Sequence, residues 1–208
     1  MNKIFSLCAL MLFTAISCGQ SREKNAHEQA LNYALEAEEL FVQGDTIAAL
    51  QLYDKAIALD SLQSQWFFRR GMMRRVGNLL SVEDFKKSVE LDPEFVNGHI
   101  LIASALYRER KYVESIYHSE RVLSLNPDAW EMGYGLGLAY YYVGEFEKSI
   151  ANLKMYDAMD KDRRWVNYYF GLSYKGLGDM EQAKLFLIRA AEQGIEEAKN
   201  ELEKLDID

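Results

Sequence analysis

The three histidines of this sequence are the residues best suited to act as a general base or a metal ligand at neutral pH. They are His27, His99 and His118, which are scattered along the chain. No His-Glu-x-x-His, Gly-x-Ser-x-Gly, phosphate-loop or clustered-cysteine pattern accompanies them. We therefore expect no enzyme activity, no metal site and no cofactor. An enzyme that lacks any recognisable motif is the alternative.

Both cysteines of the chain, Cys8 and Cys18, lie near the N-terminus. A lysine at position 3 precedes an apolar run over residues 4–16, the pattern of a secretory signal. The sequence Ala-Ile-Ser-Cys that ends at Cys18 resembles the cleavage box of bacterial lipoproteins, which implies a lipid, including palmitate, on Cys18. An ordinary signal peptide with a chance cysteine is the alternative. Because Cys8 would be removed with the leader, no disulfide is expected.

A group of arginines forms the third candidate site. Arg69, Arg70, Arg74 and Arg75 lie in a window, residues 64–82, that contains no acid. Such a group could bind a carboxylate or phosphate, or it could pair with the acids of residues 35–40. One hypothesis is an ion pair between Glu36 and Arg70, and the alternative is that both side chains reach water.

Composition and charge exclude some functions. The chain has 208 residues, of which 49% are hydrophobic and only 2 are proline, so it can bury a core and is not disordered. Its formal net charge is -8. Because binding to phosphates needs a surplus of lysine and arginine on one surface, we expect no nucleic-acid partner.

Internal repetition organises these residues. Pro93 and Pro127 are 34 residues apart, and so are Gly137 and Gly171, and Gly144 and Gly178. A period of this length, with small residues at fixed places, indicates a helix-turn-helix unit that buries its apolar face against its neighbours.

The repeat resembles the tetratricopeptide repeat (TPR). The small residue of each first helix falls at Ala37, Gly71, Ala103, Gly137 and Gly171. The larger packing residue of each second helix falls at Tyr53, Phe85, Ser119, Leu153 and Leu187. The resemblance implies an all-α fold, a right-handed α-solenoid of about five helix hairpins with a C-terminal capping helix.

We divide the chain accordingly. Residues 1–17 form the predicted signal peptide, and residues 18–28 a lipidated N-terminus and flexible tether. Five repeats follow within residues 29–195, at about 30–63, 64–95, 96–129, 130–163 and 164–195, and residues 196–208 form the cap. Repeat two is two residues shorter than repeat four around its hairpin turn, so its geometry is the hardest to predict.

The resemblance also implies a binding groove lined by the first helices. Eight of the thirteen tyrosines lie between Tyr134 and Tyr174, where some of them must be accessible. The alternative is that these rings only fill gaps between helices. The family's groove positions transfer to Phe68, Met72 and Arg75 in repeat two, Ile100, Ser104 and Tyr107 in repeat three, Tyr134, Leu138 and Tyr141 in repeat four, and Trp165, Tyr168 and Lys175 in repeat five.

These features predict a non-catalytic scaffold that binds a protein or peptide partner and is held at a membrane by its N-terminal lipid. The expected location is the bacterial cell envelope, at the outer membrane facing the periplasm. Exposure on the outer surface of the cell is the alternative. A role in assembling an outer-membrane or secretion complex fits this location. The alternative is a lipoprotein of a nutrient-uptake system that binds a glycan or peptide ligand.

Overall fold

The computed structural model of the chain describes residues 24–76, 82–157 and 164–205. Within these ranges the secondary structure is entirely helical. Helix α1 covers residues 24–42 and therefore begins inside the predicted tether, not after it. The others are α2 (Thr46–Leu59), α3 (Ser64–Val76), α4 (Val82–Leu91), α5 (Val96–Arg108), α6 (Tyr112–Leu125), α7 (Met132–Tyr142), α8 (Phe146–Asp157), α9 (Arg164–Gly176), α10 (Met180–Glu192) and α11 (Glu196–Leu205).

Glycine and aspartate shape the turns between paired helices. After α1, Gly44 adopts a left-handed φ of 92°, and the Asp45 side chain accepts a hydrogen bond from the Ala48 N–H at 3.0 Å. The same arrangement precedes α10, where Gly178 has a φ of 79° and Asp179 caps Gln182 at 3.1 Å. A glycine ends one helix here and a carboxylate starts the next, so each pair of residues fixes one hairpin turn.

The turn between α5 and α6 uses an arginine where three other hairpin turns use Gly44, Gly144 and Gly178. Arg110 has a φ of 60°, the one positive value at a non-glycine residue in the described ranges. An L side chain is strained in this conformation by roughly 1 kcal/mol. The third hairpin therefore forms although it lacks the glycine that marks the other turns.

The chain divides into two compact units, residues 1–93 and 94–208. In the first unit, α1 and α2 pack through alanines, and Ala37, Ala49 and Ala56 are fully buried. Tyr53 of α2 and Met73 of α3 complete this core, each 2% exposed. Small residues let the helices approach closely, which the repeat pattern predicts for Ala37.

The arginines of α3 form an ion cluster, and the hypothesis of a Glu36–Arg70 pair is wrong. Arg70 donates to both oxygens of Asp84 in α4, at 3.2 and 2.6 Å, and to Asp54 in α2 at 2.6 Å. Arg74 donates to Asp84 at 2.8 Å. Glu36 is exposed. Two guanidinium groups thus compensate the charge of Asp84, whose side chain is only 4% exposed.

Only one arginine of the group contacts the acids of residues 35–40. The Nε of Arg69 lies 3.7 Å from an oxygen of Glu38, and both side chains are well exposed. A pair of this kind contributes little to stability. Pairing with the acids of residues 35–40 therefore holds for Arg69 alone, whereas Arg70 and Arg74 bind Asp84 and Asp54.

The second unit contains three hairpins, α5–α6, α7–α8 and α9–α10. Leu153 and Leu187 are fully buried at the place where the repeat pattern expects a large residue. They lie against Gly137 and Gly171: a Cβ added there would come within 2.7 Å of Leu153 Cγ and 2.6 Å of Leu187 Cγ. The glycines are required for close contact, because any larger residue would force the helices apart.

Helix α11 closes the second unit. Ala198 is fully buried in a cluster with Leu187, Ala190 and Ile195, and Leu202 packs against them. The opposite side of the helix is charged and exposed, as in a cap that shields the apolar face of a last repeat.

The predicted signal peptide and Cys18 lie outside the described residues. Among the residues that are described, no helix combines the length and the apolar character needed to cross a membrane.

Candidate binding site

The first helices of the second unit, α5, α7 and α9, contact one another in order and form one face, which we call the first-helix face. Successive first helices of such hairpins run parallel, so equivalent residues line up across the face. Nine of the predicted groove residues belong to these three helices. Their positions in two cavities and on the adjoining surface are described in turn.

The first cavity lies between α5, α6 and α7, and we call it the α5–α7 cavity. Its volume is about 290 Å³. Five predicted groove residues line it, namely Ile100, Ser104, Tyr107, Tyr134 and Leu138. The cavity continues behind them to α6, and its full lining also includes Ala103, Arg108, Ser115, Ser119, Glu131, Met132 and Gly135.

The second cavity is an open cleft between α7, α9 and α11, and we call it the α7–α11 cleft. Its volume is about 640 Å³. Three predicted residues line it, Tyr141, Tyr168 and Lys175, together with Leu172 and Glu201. Its remaining lining comes from Tyr142, Gly144, Phe146 and Gly176.

The cation of this cleft is already paired. The Lys175 ammonium donates to Glu201 of α11 at 2.7 Å, and Lys204 donates to the other oxygen of Glu201 at 2.6 Å. These hydrogen bonds lower the pKa of Glu201, so its carboxylate stays ionised. A ligand of the cleft therefore meets an ion pair at Lys175 and not a free ammonium.

Tyrosines of α5, α6, α7 and α9 connect the three hairpins. The rings of Tyr112 and Tyr142 are stacked with their centroids 4.6 Å apart, and the Tyr142 and Tyr169 hydroxyls are 3.1 Å apart. Tyr107 packs edge-on against Tyr112 at 5.5 Å. Tyr141 meets Tyr169 in the same way, also at 5.5 Å. These contacts fix the rings in place before any ligand arrives.

The phenols of Tyr107 and Tyr168 are neutral at physiological pH. Burial raises the pKa of Tyr107, and the neighbouring Tyr142 and Tyr112 add to the effect. Burial also raises the pKa of Tyr168, with a further contribution from Glu201. These hydroxyls can therefore donate and accept hydrogen bonds, but they are poor bases and nucleophiles at neutral pH.

Some predicted residues lie outside both cavities. Trp165 is 42% exposed and packs edge-on against Tyr168, with ring centroids 5.8 Å apart. In the first unit, Phe68 tilts against Phe85 of α4, Met72 is half-buried and Arg75 is exposed. By contrast, Leu138 does line the α5–α7 cavity, but its side chain is buried and only 5% exposed.

Two of the histidines lie next to each other in the second unit. His99 is 4% exposed, and its Nδ1 lies 2.9 Å from the Nδ1 of His118. No group of three or more His, Cys, Asp or Glu side chains among the described residues could hold a metal ion. His99 is therefore buried beside His118.

Sequence reasoning missed the back wall of the α5–α7 cavity. Ser115 and Ser119 come from α6, a second helix, and therefore fall outside the family's groove positions. A signal was present, because Ser119 stands where the other repeats carry tyrosine, phenylalanine or leucine. Glu201 was missed because its place beside Lys175 depends on how α11 packs.

Comparison with solved structures identifies the fold. No family model and no curated protein matches the sequence. Similar folds include YrrB, described as a TPR protein with an unusual peptide-binding site, at 20% identity and a TM-score of 0.74 over 89% of this chain and 97% of that one. A crystal structure of MamA matches at 23% identity and a TM-score of 0.66 over 83% and 95%. MamA from Desulfovibrio magneticus RS-1 matches at 19% and 0.63 over 79% and 94%.

These likenesses confirm the predicted fold class. The chain is all-α and has the TPR-like fold of helix hairpins. At such low identity they carry the fold alone, and the function has to be argued from the site.

Proposed function

We propose that this protein is a non-catalytic scaffold that binds a segment of another protein on its first-helix face. The observation that carries the proposal is the pair of cavities on that face, which open beside tyrosines whose rings are already fixed. Tyrosine and tryptophan combine a wide apolar surface with a polar tip and lose little rotamer freedom on binding, so they serve as interface anchors.

The neighbouring structures support a peptide ligand in particular. YrrB shares the hairpin fold over most of this chain, and its description names a peptide-binding site. An extended segment is also the ligand shape that suits two separate cavities, because side chains at different positions along it can enter each of them. The neutral phenols along the face would hold its backbone by hydrogen bonds.

We further propose that the protein is tethered to the bacterial envelope through a lipid on Cys18, at the outer membrane facing the periplasm, where it assists assembly of an outer-membrane or secretion complex. The apolar run of residues 4–16 and the cysteine that follows it support this part. In a cell labelled with radioactive palmitate, the wild-type protein should carry label and Cys18→Ala should not. Equal labelling of both would contradict the anchor.

Photo-crosslinking tests the binding face. The photoreactive analogue p-benzoylphenylalanine would replace Trp165, which is 42% exposed beside the α7–α11 cleft, or Tyr117, which is 63% exposed on α6, a second helix. Both sites replace one exposed aromatic side chain with another, so they form a matched pair. We expect a discrete protein adduct from position 165 in intact cells and none from position 117.

A second variant links the adduct to the cleft. Combining the probe at position 165 with Tyr141→Ala and Tyr168→Ala should remove the adduct while the circular dichroism spectrum stays helical. Equal adducts from positions 117 and 165 would refute binding at this face. Binding of an oligosaccharide library by the purified protein, with no protein adduct, would instead favour a glycan-binding lipoprotein.

A further inference from the structure

A rule of packing holds in four of the five hairpins. A large residue of the second helix lies on a small residue of the first, and the two fit closely. A Cβ added to Gly71 would lie 2.8 Å from the Phe85 ring, and the glycines opposite Leu153 and Leu187 are equally tight. In the first hairpin, Tyr53 is 2% exposed in the same core as Ala37.

The third hairpin breaks this rule. Its pair is Ala103 and Ser119, which are both small. Both residues line the α5–α7 cavity, so the space that a tyrosine or leucine occupies in the other hairpins is left open here. The first hairpin shows that a large residue can be accommodated opposite alanine, because Tyr53 packs with Ala37. The empty space therefore comes from Ser119 and not from the backbone.

The mouth of this cavity is also open. Gly135 lines it and is exposed, and a Cβ added to Gly135 would meet nothing within 4 Å. The volume of about 290 Å³ exceeds the roughly 150 Å³ of an apolar cavity that holds a benzene molecule. A leucine, methionine or phenylalanine side chain can therefore enter from the first-helix face and reach Ser119 on α6.

Two opposite charges flank the mouth. Arg108 at the end of α5 and Glu131 just before α7 both line the cavity and are exposed. Neither forms an ion pair with a residue in the described ranges, and the Nε of Arg108 only approaches the carbonyl of Ser104 in its own helix, at 3.4 Å. Since α5 and α7 run parallel, the two charges mark opposite ends of the opening.

We infer that the α5–α7 cavity is an anchor pocket that takes one large apolar side chain of the partner segment, from a position with an acidic residue on one side and a basic residue on the other. The acidic residue pairs with Arg108 and the basic residue with Glu131. This inference rests on the proposed function and adds the chemistry of the ligand. It places the anchor behind the family's groove positions, against the second helix.

Short peptides test the pocket directly. The probes are two acetylated and amidated heptapeptides, Gly-Glu-Ser-Phe-Ser-Lys-Gly and Gly-Lys-Ser-Phe-Ser-Glu-Gly, in which the charged residues stand two positions from the phenylalanine and so share its face in an extended segment. Binding to the purified protein is followed by NMR titration. We expect one order to bind, and a version with central alanine to bind about 10- to 100-fold more weakly, because a buried apolar side chain is lost. Replacing the glutamate and lysine with glutamine should weaken binding as well.

The decisive variant fills the pocket with a side chain of the protein itself. Ser119→Leu restores the residue that the later hairpins carry, so its melting temperature should equal or exceed that of the wild type, while peptide affinity falls at least ~10-fold. Tyr117→Leu puts a leucine on the same helix but outside the pocket, at a side chain that is 63% exposed, and should bind as the wild type does. If Ser119→Leu folds poorly, Gly135→Leu blocks the mouth from outside, at a position where an added Cβ meets nothing within 4 Å.

The outcomes separate the inference from the proposed function. Undiminished peptide binding by folded Ser119→Leu or Gly135→Leu, or equal binding of the alanine-centred peptide, overturns the anchor pocket. If no peptide binds while the adduct from position 165 still forms, the pocket is refuted and the binding face stands. Loss of both removes the proposed function as well.

Discussion

Three glycines of α7 allow the packing of a hairpin to be tested by one chemical change at neighbouring sites. A Cβ added to Gly133 would lie 2.6 Å from the backbone carbonyl oxygen of Asn152, and one added to Gly137 would lie 2.7 Å from Leu153 Cγ. A Cβ added to Gly135 would meet nothing within 4 Å. The glycine-to-alanine substitution should therefore have different effects at the three positions.

The expected magnitudes follow from two opposing contributions. Alanine in place of glycine inside a helix stabilises by about 1 kcal/mol at each position. At Gly135 nothing opposes this gain. At Gly137, Leu153 is fully buried and its Cγ cannot move freely, so overpacking costs about 2–3 kcal/mol and the net loss is about 1–2 kcal/mol. At Gly133 the obstacle is backbone, which no rotamer change relieves, so the net loss should be about 2 kcal/mol or more.

Thermal unfolding followed by circular dichroism measures these effects. For a chain of this size, 1 kcal/mol shifts the melting temperature by roughly 2–4 °C. Gly135→Ala should melt higher than the wild type, Gly137→Ala lower, and Gly133→Ala lowest. The Gly135 variant is the matched control, because it carries the same change in the same helix. If all three variants melt at or above the wild-type temperature, α7 and α8 do not pack as described.

Two further predictions concern charged residues. Asp84→Ala should destabilise the protein by about 2–3 kcal/mol, because it leaves the Arg70 guanidinium, 14% exposed, with Asp54 as its partner. Asp54→Ala should cost less than about 1 kcal/mol, since Asp54 is 54% exposed. Urea denaturation measures both losses, and equal losses would contradict the cluster. The lowered pKa of Glu201 means that its stabilising contribution is present above the unfolded pKa of about 4.3 and is lost as the pH falls through the folded pKa. Wild-type melting temperature should therefore drop more between pH 7 and pH 3 than that of Glu201→Gln, and parallel curves would count against the Lys175 contact.

The fold was predictable because the repeat signals are local. Gly44 and Gly178 mark hairpin turns in the sequence, and both adopt the left-handed conformation that favours glycine. The step of 34 residues assigns the small and large packing residues, and Gly137 lies against Leu153 as that step requires. The exception is Arg110, which forms a turn without any glycine signal because its neighbouring helices hold it there.

The ion pairs were not predictable, because helical spacing does not say which neighbour a side chain reaches. Glu36 stands in repeat one at the place equivalent to Arg70, which suggested a pair between repeats. Arg70 instead bonds to Asp84 across its own hairpin and to Asp54 on the preceding helix. The partners of Arg70 are therefore the acids of its own hairpin and of the helix just before it.

Part of the candidate site was visible in the sequence. The family's groove positions on α5, α7 and α9 come together around the two cavities, although their role in binding stays a prediction. The depth of the α5–α7 cavity was not visible, because it comes from two small residues that face each other across a hairpin, Ala103 and Ser119. Spacing identifies such a pair, but only packing shows whether another side chain fills the gap.

The placement of the tryptophans has an optical consequence. Trp66 is 8% exposed in the first unit, whereas Trp165 is 42% exposed, with its ring against Tyr168 at the edge of the α7–α11 cleft. Indole emission depends on the polarity around the ring, and nearby phenols pass excitation energy to it. A segment that settled on this edge would shift the colour and yield of Trp165 fluorescence, so the protein carries its own unlabelled reporter of occupancy.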